Sequence, residues 1–199
     1  YVKGIMGPVG GGKSTAALFD LLSRAILQEP FNGVRRTKFG ILRNTVAQLR
    51  STVKPLIDTW FQDLMAGRMG KWTQTQGTLT FEAHFNLGDG TVVQADFMLL
   101  AADTPDDVRR LLSLELTAAW VEEAREVDQQ VFEGLLGRVD RFPSRVAGGP
   151  TYPGVTFSTN PPALGTFWHG MISDPPKNAE VFRQPPAILD DGSINPEAE

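Results

Sequence analysis

The octapeptide Gly7-Pro8-Val9-Gly10-Gly11-Gly12-Lys13-Ser14 constrains this 199-residue chain more than any other stretch. It matches G-x-x-x-x-G-K-[ST] at every fixed position. Residues 1–6 before it (YVKGIM) read as a short strand. From residue 13 to 28 Ala17, Leu18, Leu21, Leu22, Ala25 and Ile26 recur at helical spacing until Pro30 stops the pattern. A glycine loop between a strand and a helix turns successive backbone N–H groups inward around an anion, and the helix start adds its partial positive charge. The chemistry that follows is binding of a nucleoside triphosphate, expected to be ATP with Mg2+, on Gly7 through Thr15. Lys13 reaches the β- and γ-phosphates, and the Ser14 hydroxyl is a metal ligand.

A phosphate loop of this kind works with a second, acidic strand. Residues 116–121 are apolar and run into Glu122-Glu123. In that position Glu122 falls on the magnesium side, through water, and Glu123 is the candidate general base for water attack on the γ-phosphate. Successive residues at a strand end point to opposite faces, so the two carboxylates need not compete for one position. The plainer alternative is that they open a solvated helix with Arg125 and Glu126. A third stretch, Phe157-Ser158-Thr159-Asn160-Pro161-Pro162, ends a strand in small hydroxyl and amide groups at the sheet edge where α/β folds bind ligands. There Asn160 or Thr159 is placed to sense the γ-phosphate or the attacking water, although the same residues also make ordinary turns. Among the arginines near the acidic strand, Arg109 and Arg110 precede it and Arg138, Arg141 and Arg145 follow it.

Between these stretches the texture alternates. Residues 38–43 read as a buried strand and 45–65 as a helix that Pro55 kinks or divides. Residues 78–87 and 91–100 form β-rich runs joined by Gly88-Asp89-Gly90, a hairpin signal. Helices are expected over 104–114 and 128–139, with Asp128 as N-cap, and a short strand over 155–158. The fold class is therefore α/β: a P-loop NTPase of the ASCE/RecA-like type, with a mostly parallel central sheet flanked by helices and an inserted or edge β-hairpin around 78–100. Residues 1–173 are expected to form the ATPase domain. Residues 174–199, with Pro175-Pro176 and Pro185-Pro186, read as a Pro/Gly-rich tail or the start of a linker.

Composition narrows the classes further. With no cysteine, a disulfide scaffold and thiolate-held zinc are excluded, and with His84 and His169 alone a His-rich metal site is not expected. No apolar run approaches the roughly 20 residues that span a bilayer, and no signal peptide is visible, so no membrane partner is expected. The chain begins at Tyr1 rather than methionine, as a fragment or a processed product does. The net charge of −4 divides unevenly: residues 13–54 carry +6, leaving −10 for the rest. Arg35, Arg36, Lys38 and Arg50 in that stretch are a candidate DNA-facing region, or equally a solvated face.

Four stretches in this order, GPVGGGKS, FGILRNTVAQLRSTV over Phe39 to Val53, LTAAWVEEA and FSTNPP, resemble the ATPase domain of the large terminase subunit, the motor that packages double-stranded DNA into tailed-phage capsids. The resemblance covers most of residues 1–162. It implies that Lys13, Ser14 and Glu123 carry ATP hydrolysis, and that Ser158, Thr159 and Asn160 form the coupling motif that passes nucleotide state to DNA movement. It also implies a homo-oligomeric ring, a pentamer by resemblance, seated on a portal protein. The other implied partners are double-stranded DNA and the terminase small subunit, in the host cytoplasm and transiently at the procapsid portal vertex. Two departures stand out. Many terminases carry an arginine inside the phosphate loop where this chain has Val9, which favours a finger in trans, with Arg109 and Arg110 the candidates. Glu122 stands where aspartate is usual. The acidic motifs of the family's nuclease domain are not evident, so nuclease activity is not expected. Two other classes stay open at this stage: a small-molecule P-loop kinase, with the hairpin as a lid, and a nucleotide-sensing module with impaired hydrolysis.

Overall fold

The computed structural model describes residues 1–75, 77–185, 193 and 195. Among them, eight strands form one sheet in the order β3-β4-β5-β2-β6-β7-β1-β8. β1 (Val2–Met6) feeds the glycine loop, and α1 (Lys13–Leu27) follows it. β2 (Val34–Arg43) begins four residues before the expected strand, because Val34 through Thr37 continue the ladder against Val92 to Ala95.

The helix expected over 45–65 is divided, as Pro55 requires. It runs as α2 (Val46–Gln48), a π-helical turn (Leu49–Val53), α3 (Lys54–Trp60) and α4 (Gln62–Ala66). Pro55 has no N–H to offer one turn back and its ring crowds that carbonyl, so it sits in the first turn of α3 while the turn before it widens. Thr45 opens the segment with a reciprocal cap, its hydroxyl accepting from Gln48 N while the Gln48 side chain accepts from Thr45 N.

β4 (Thr78–Asn86) and β5 (Val92–Ala101) are the two arms of the expected hairpin, paired antiparallel. The hairpin is more than an edge addition. β5 pairs parallel with β2 along its whole length, and a further strand, β3 (Gly70–Thr75), extends the sheet beyond β4. β3 carries no strand signal in the sequence, since KWTQT is polar and only its Trp72 packs on the Phe81 and Phe97 cluster. α5 (Pro105–Leu112) is capped by Thr104, β6 (Ala118–Glu122) is buried throughout, α6 (Gln129–Leu136) is capped by Asp128, and β7 (Gly154–Thr159) is likewise buried. α7 (Phe167–Ser173) follows.

The boundary expected after residue 173 falls too early. β8 (Ala179–Arg183) pairs parallel with all of β1, and Ala179 and Val181 pack on the core while Glu180 and Phe182 alternate outward. Pro175-Pro176 marks the turn into this strand, not the start of a linker. The tail beyond residue 185 lies outside the described residues, apart from Ser193 and Asn195.

Strand alternation divides the core into two layers. Phe39, Ile41, Ala118 and Trp120 face α1 and the divided helix. Leu42, Ala119, Val121, Val155 and Phe157 face α5, α6 and α7. No helix of the described residues is long and apolar enough to cross a membrane.

Candidate nucleotide-binding site

β7 lies between β1 and β6 in the sheet, and the three strands run parallel. Their ends are level: Met6 is in register with Thr159, and Glu122 with Ser158. The loop after β1, the acidic end of β6 and the polar end of β7 therefore meet at one edge, the C-terminal edge where ligands sit in open α/β sheets. They line a cleft of about 260 Å³ with Val9, Gly10, Lys13, Ser14, Glu122, Glu123, Ser158 and Asn160, joined by Arg43 and Thr52.

The loop's conformation depends on glycine at two positions. Gly10 and Gly12 have φ of +81° and +74°, which a side chain resists, and a Cβ on either would point into open space. Gly11 faces the other way, against the Gln184 side chain that follows β8. Lys13, buried to 8% exposure at the start of α1, donates to Pro8 O at 2.6 Å and to Asn160 Oδ1 at 3.0 Å. The Ser14 hydroxyl donates to Glu122 Oε1 at 2.7 Å, and the Ser158 hydroxyl donates to the other Glu122 oxygen. Trp120 Nε1 in turn donates to Ser158 Oγ at 2.8 Å. Val9 projects outward, 85% exposed.

Glu123 departs from what alternation predicts. It leaves β6 in the left-handed region, φ 49° and ψ 54°, which returns its side chain to the cleft that Glu122 also lines. The two carboxylates thus line one cleft, in place of the opposite faces expected. Asn160 Nδ2 donates to Glu123 Oε1 at 2.8 Å, and Arg125 Nε lies 3.5 Å from Oε2. Only a single 3-10 turn, Ala124–Glu126, follows, and Glu122 is 8% exposed, so the pair does not open a solvated helix. Asn160 bridges the loop lysine and Glu123 with one amide.

The remaining candidates lie apart from these. Thr159 is fully buried behind the wall, its hydroxyl donating to Asn160 O and accepting from Arg125 N. Thr15 follows Ser14 along α1 and is not among the residues that line the cleft. Arg109 and Arg110 sit on α5, on the other face of the sheet, ion-paired with Asp106 and Asp107. They are not in the cleft of their own subunit. The basic stretch does not form one face either. Arg35 is held by Asp89, Lys38 lies over the Phe142 ring, Arg36 reaches Gln94 and Arg50 is exposed. Arg43 and Thr52 are the cleft residues that local spacing does not mark: the place of Arg43 depends on the register of β2 against β6, and that of Thr52 on the π-helical turn before Pro55.

A glycine loop between strand and helix, with an acidic strand end one strand removed from it, defines the P-loop NTPase fold of the ASCE type. Solved structures with this fold include the large terminase of a thermophilic bacteriophage, with TM-score 0.58 and 13% identity over 90% of this chain and 39% of that one. The same phage protein in complex with ATP-gamma-S gives 0.56 and 13% over 91% of this chain and 38% of that one. The large terminase ATPase domain of Thermus phage P74-26 gives 0.58 and 15% over 94% of this chain and 75% of that one. The chain therefore has the architecture of phage large-terminase ATPase domains, and it spans 39% of the length of the first of these relatives. No protein-family model and no curated protein sequence matches it significantly.

Proposed function

We propose that this chain is the ATP-hydrolysing motor domain of a viral DNA-packaging terminase large subunit, which translocates double-stranded DNA into a procapsid. The observation that carries the reading is the Asn160 bridge, 3.0 Å to Lys13 and 2.8 Å to Glu123. It ties the residue that binds phosphate to the residue that activates water, through the end of a third strand.

Lys13 and the loop amides bind the β- and γ-phosphates. Ser14 and Glu122 bring a hydroxyl and a carboxylate oxygen within 2.7 Å of each other, a hard-donor pair that suits magnesium. When bound, the ion neutralises charge on the phosphates. Ser158 and Trp120 hold the Glu122 carboxylate in place. Glu123, oriented by Asn160, accepts a proton from the attacking water, and ADP and phosphate are released. Loss of the γ-phosphate frees Lys13 and Glu123 to shift, Asn160 shifts with them, and that displacement is what the strand end passes on to DNA. Arg109 and Arg110, exposed and held only by surface ion pairs of small worth, are available to act on a neighbouring subunit's nucleotide. A ring of such subunits, a pentamer by resemblance, on a portal protein with the terminase small subunit, in the host cytoplasm and at the portal vertex, completes the reading. Residues 1–185 form the motor unit in it.

A kinase lid made by the hairpin is disfavoured by geometry. Its turn lies beside Val34 at the start of β2, and the cleft lies beyond Arg43 at the other end, about 30 Å away along the strand.

The test is phosphate release with and without double-stranded DNA over a salt series. Turnover per subunit is expected to rise with protein concentration, to be stimulated by DNA, and to lose that stimulation steeply as salt increases. Phosphate delivered to a small molecule, or bound ATP with no release in assembled rings, contradicts the motor reading.

A further inference from the structure

Arg43 is the last residue of β2, one place beyond the Leu42–Val121 register pair, so it leaves the sheet level with Glu122 and on the same face. That face carries it into the cleft with Val9, Gly10 and Lys13. Its guanidinium is anchored on one side only: Nη1 donates to Thr52 Oγ1 at 2.6 Å, and Thr52 Oγ1 donates to Gln48 O at 2.7 Å on the divided helix. Nε is buried with no hydrogen-bond partner among the described residues. Arg24 and Arg35, from the same basic stretch, are tied to Asp20 and Asp89. Arg43 pairs with no carboxylate among the described residues, although Glu122 and Glu123 line the same cleft. A guanidinium placed this way keeps its capacity for an anion, and its planar fork suits phosphate oxygens.

We propose that Arg43 supplies, from within the same subunit, the arginine contact to the γ-phosphate that the loop lacks at Val9. The proposal rests on the reading of the cleft as a triphosphate site. It places the charge on a neighbouring strand instead of on the loop, with Thr52 of the π-helical turn holding the guanidinium at the height of the Glu122 carboxylate. The chemistry is electrostatic. Arg43 neither takes nor gives a proton, and it offsets negative charge on the γ-phosphate oxygens as the bond to the leaving ADP breaks.

The test compares affinities for ADP and ATP-gamma-S in wild type, Arg43→Ala, Arg43→Lys and Lys13→Ala, together with phosphate release. Thermal melts of each variant establish that it is folded. Arg43→Ala is expected to hold ADP within about twofold of wild type and ATP-gamma-S about tenfold more weakly, the worth of one hydrogen bond to a charged group. Its phosphate release is expected to fall about 100-fold. Arg43→Lys keeps the charge without the fork and is expected to recover part of both. Mixing Arg43→Ala with Glu123→Gln subunits is expected to restore nothing, since each cleft then lacks one of its own groups. Equal effects on ADP and ATP-gamma-S, or none on either, make Arg43 a structural residue and overturn the proposal. Recovered turnover in the mixture moves its action to a neighbouring subunit and overturns it as well. Unchanged affinity for both nucleotides in Lys13→Ala overturns instead the reading of the cleft on which the proposal stands.

Discussion

Glu123 holds φ 49° and ψ 54°, a conformation that costs a residue with a Cβ about 1–2 kcal/mol. The bond from Asn160 and the contact with Arg125 offset that cost, and the result is a carboxylate turned into the cleft. Of the four non-glycine residues at positive φ among the described residues, Asn32, Arg68, Glu123 and Asp140, Glu123 is the one that lines the cleft. Glu123→Gly removes both the strain and the carboxylate. It is expected to melt at the same temperature as wild type or higher while losing phosphate release. A melting temperature lower by more than about 4 °C would show instead that the carboxylate's bonds hold the turn together. The glycine loop is legible in the sequence because all its determinants are contiguous: two glycines at positive φ, a lysine and a serine opening a helix. Glu122-Glu123 is legible as a pair, but its geometry is not. Alternation predicts opposite faces, and one left-handed residue reverses that. Arg43 is legible only as one arginine among many, since nothing local marks a residue whose neighbours are Glu122 and Thr52.

A half-buried charge cluster ties α1 to β1 and β7. Asp20 on α1 accepts from Lys3 on β1, from Arg24 one turn on, and from the Thr156 hydroxyl on β7, while Arg24 also donates to Tyr152 O. Burial pushes the Asp20 carboxyl up, but the Lys3 hydrogen bond, the Arg24 charge and the Thr156 hydroxyl together outweigh it, and the group lies below its ordinary 3.8. A depressed carboxyl contributes stability that is fully present above the unfolded value and is lost as pH falls through the folded one. Wild type is therefore expected to lose this contribution only below about pH 4. Asp20→Ala is expected to be about 3 kcal/mol less stable at pH 7, because it strands the buried Arg24, and to show a shallower loss in acid. Denaturant melts at pH 7 and pH 3 measure both, and an equal loss between the two pH values for wild type and variant contradicts the assignment. The strands of this layer are mostly legible, since β6 is an apolar run and β7 sets Val155 and Phe157 in alternation before its polar end. β3 and β8 are not. Both are short, half-polar edge strands whose pairing with β4 and β1 supplies the order that their own residues do not signal.

At the scale of the whole molecule, the strand order explains why three separated stretches of sequence act as one site. β7 stands between the loop strand and the acidic strand, so Asn160 just past its end bonds to both Lys13 and Glu123. α5, with Arg109 and Arg110 exposed, lies on the other face of the sheet. In the proposed function Lys13 binds the triphosphate and Glu123 activates the water that cleaves it. One pair of variants tests this most directly: ATP-gamma-S binding and phosphate release measured side by side in Lys13→Ala and Glu123→Gln. Lys13→Ala is expected to lose both, while Glu123→Gln is expected to bind as wild type does and to release phosphate about 100-fold more slowly or slower still. Wild-type release from Glu123→Gln, or wild-type binding by Lys13→Ala, contradicts it.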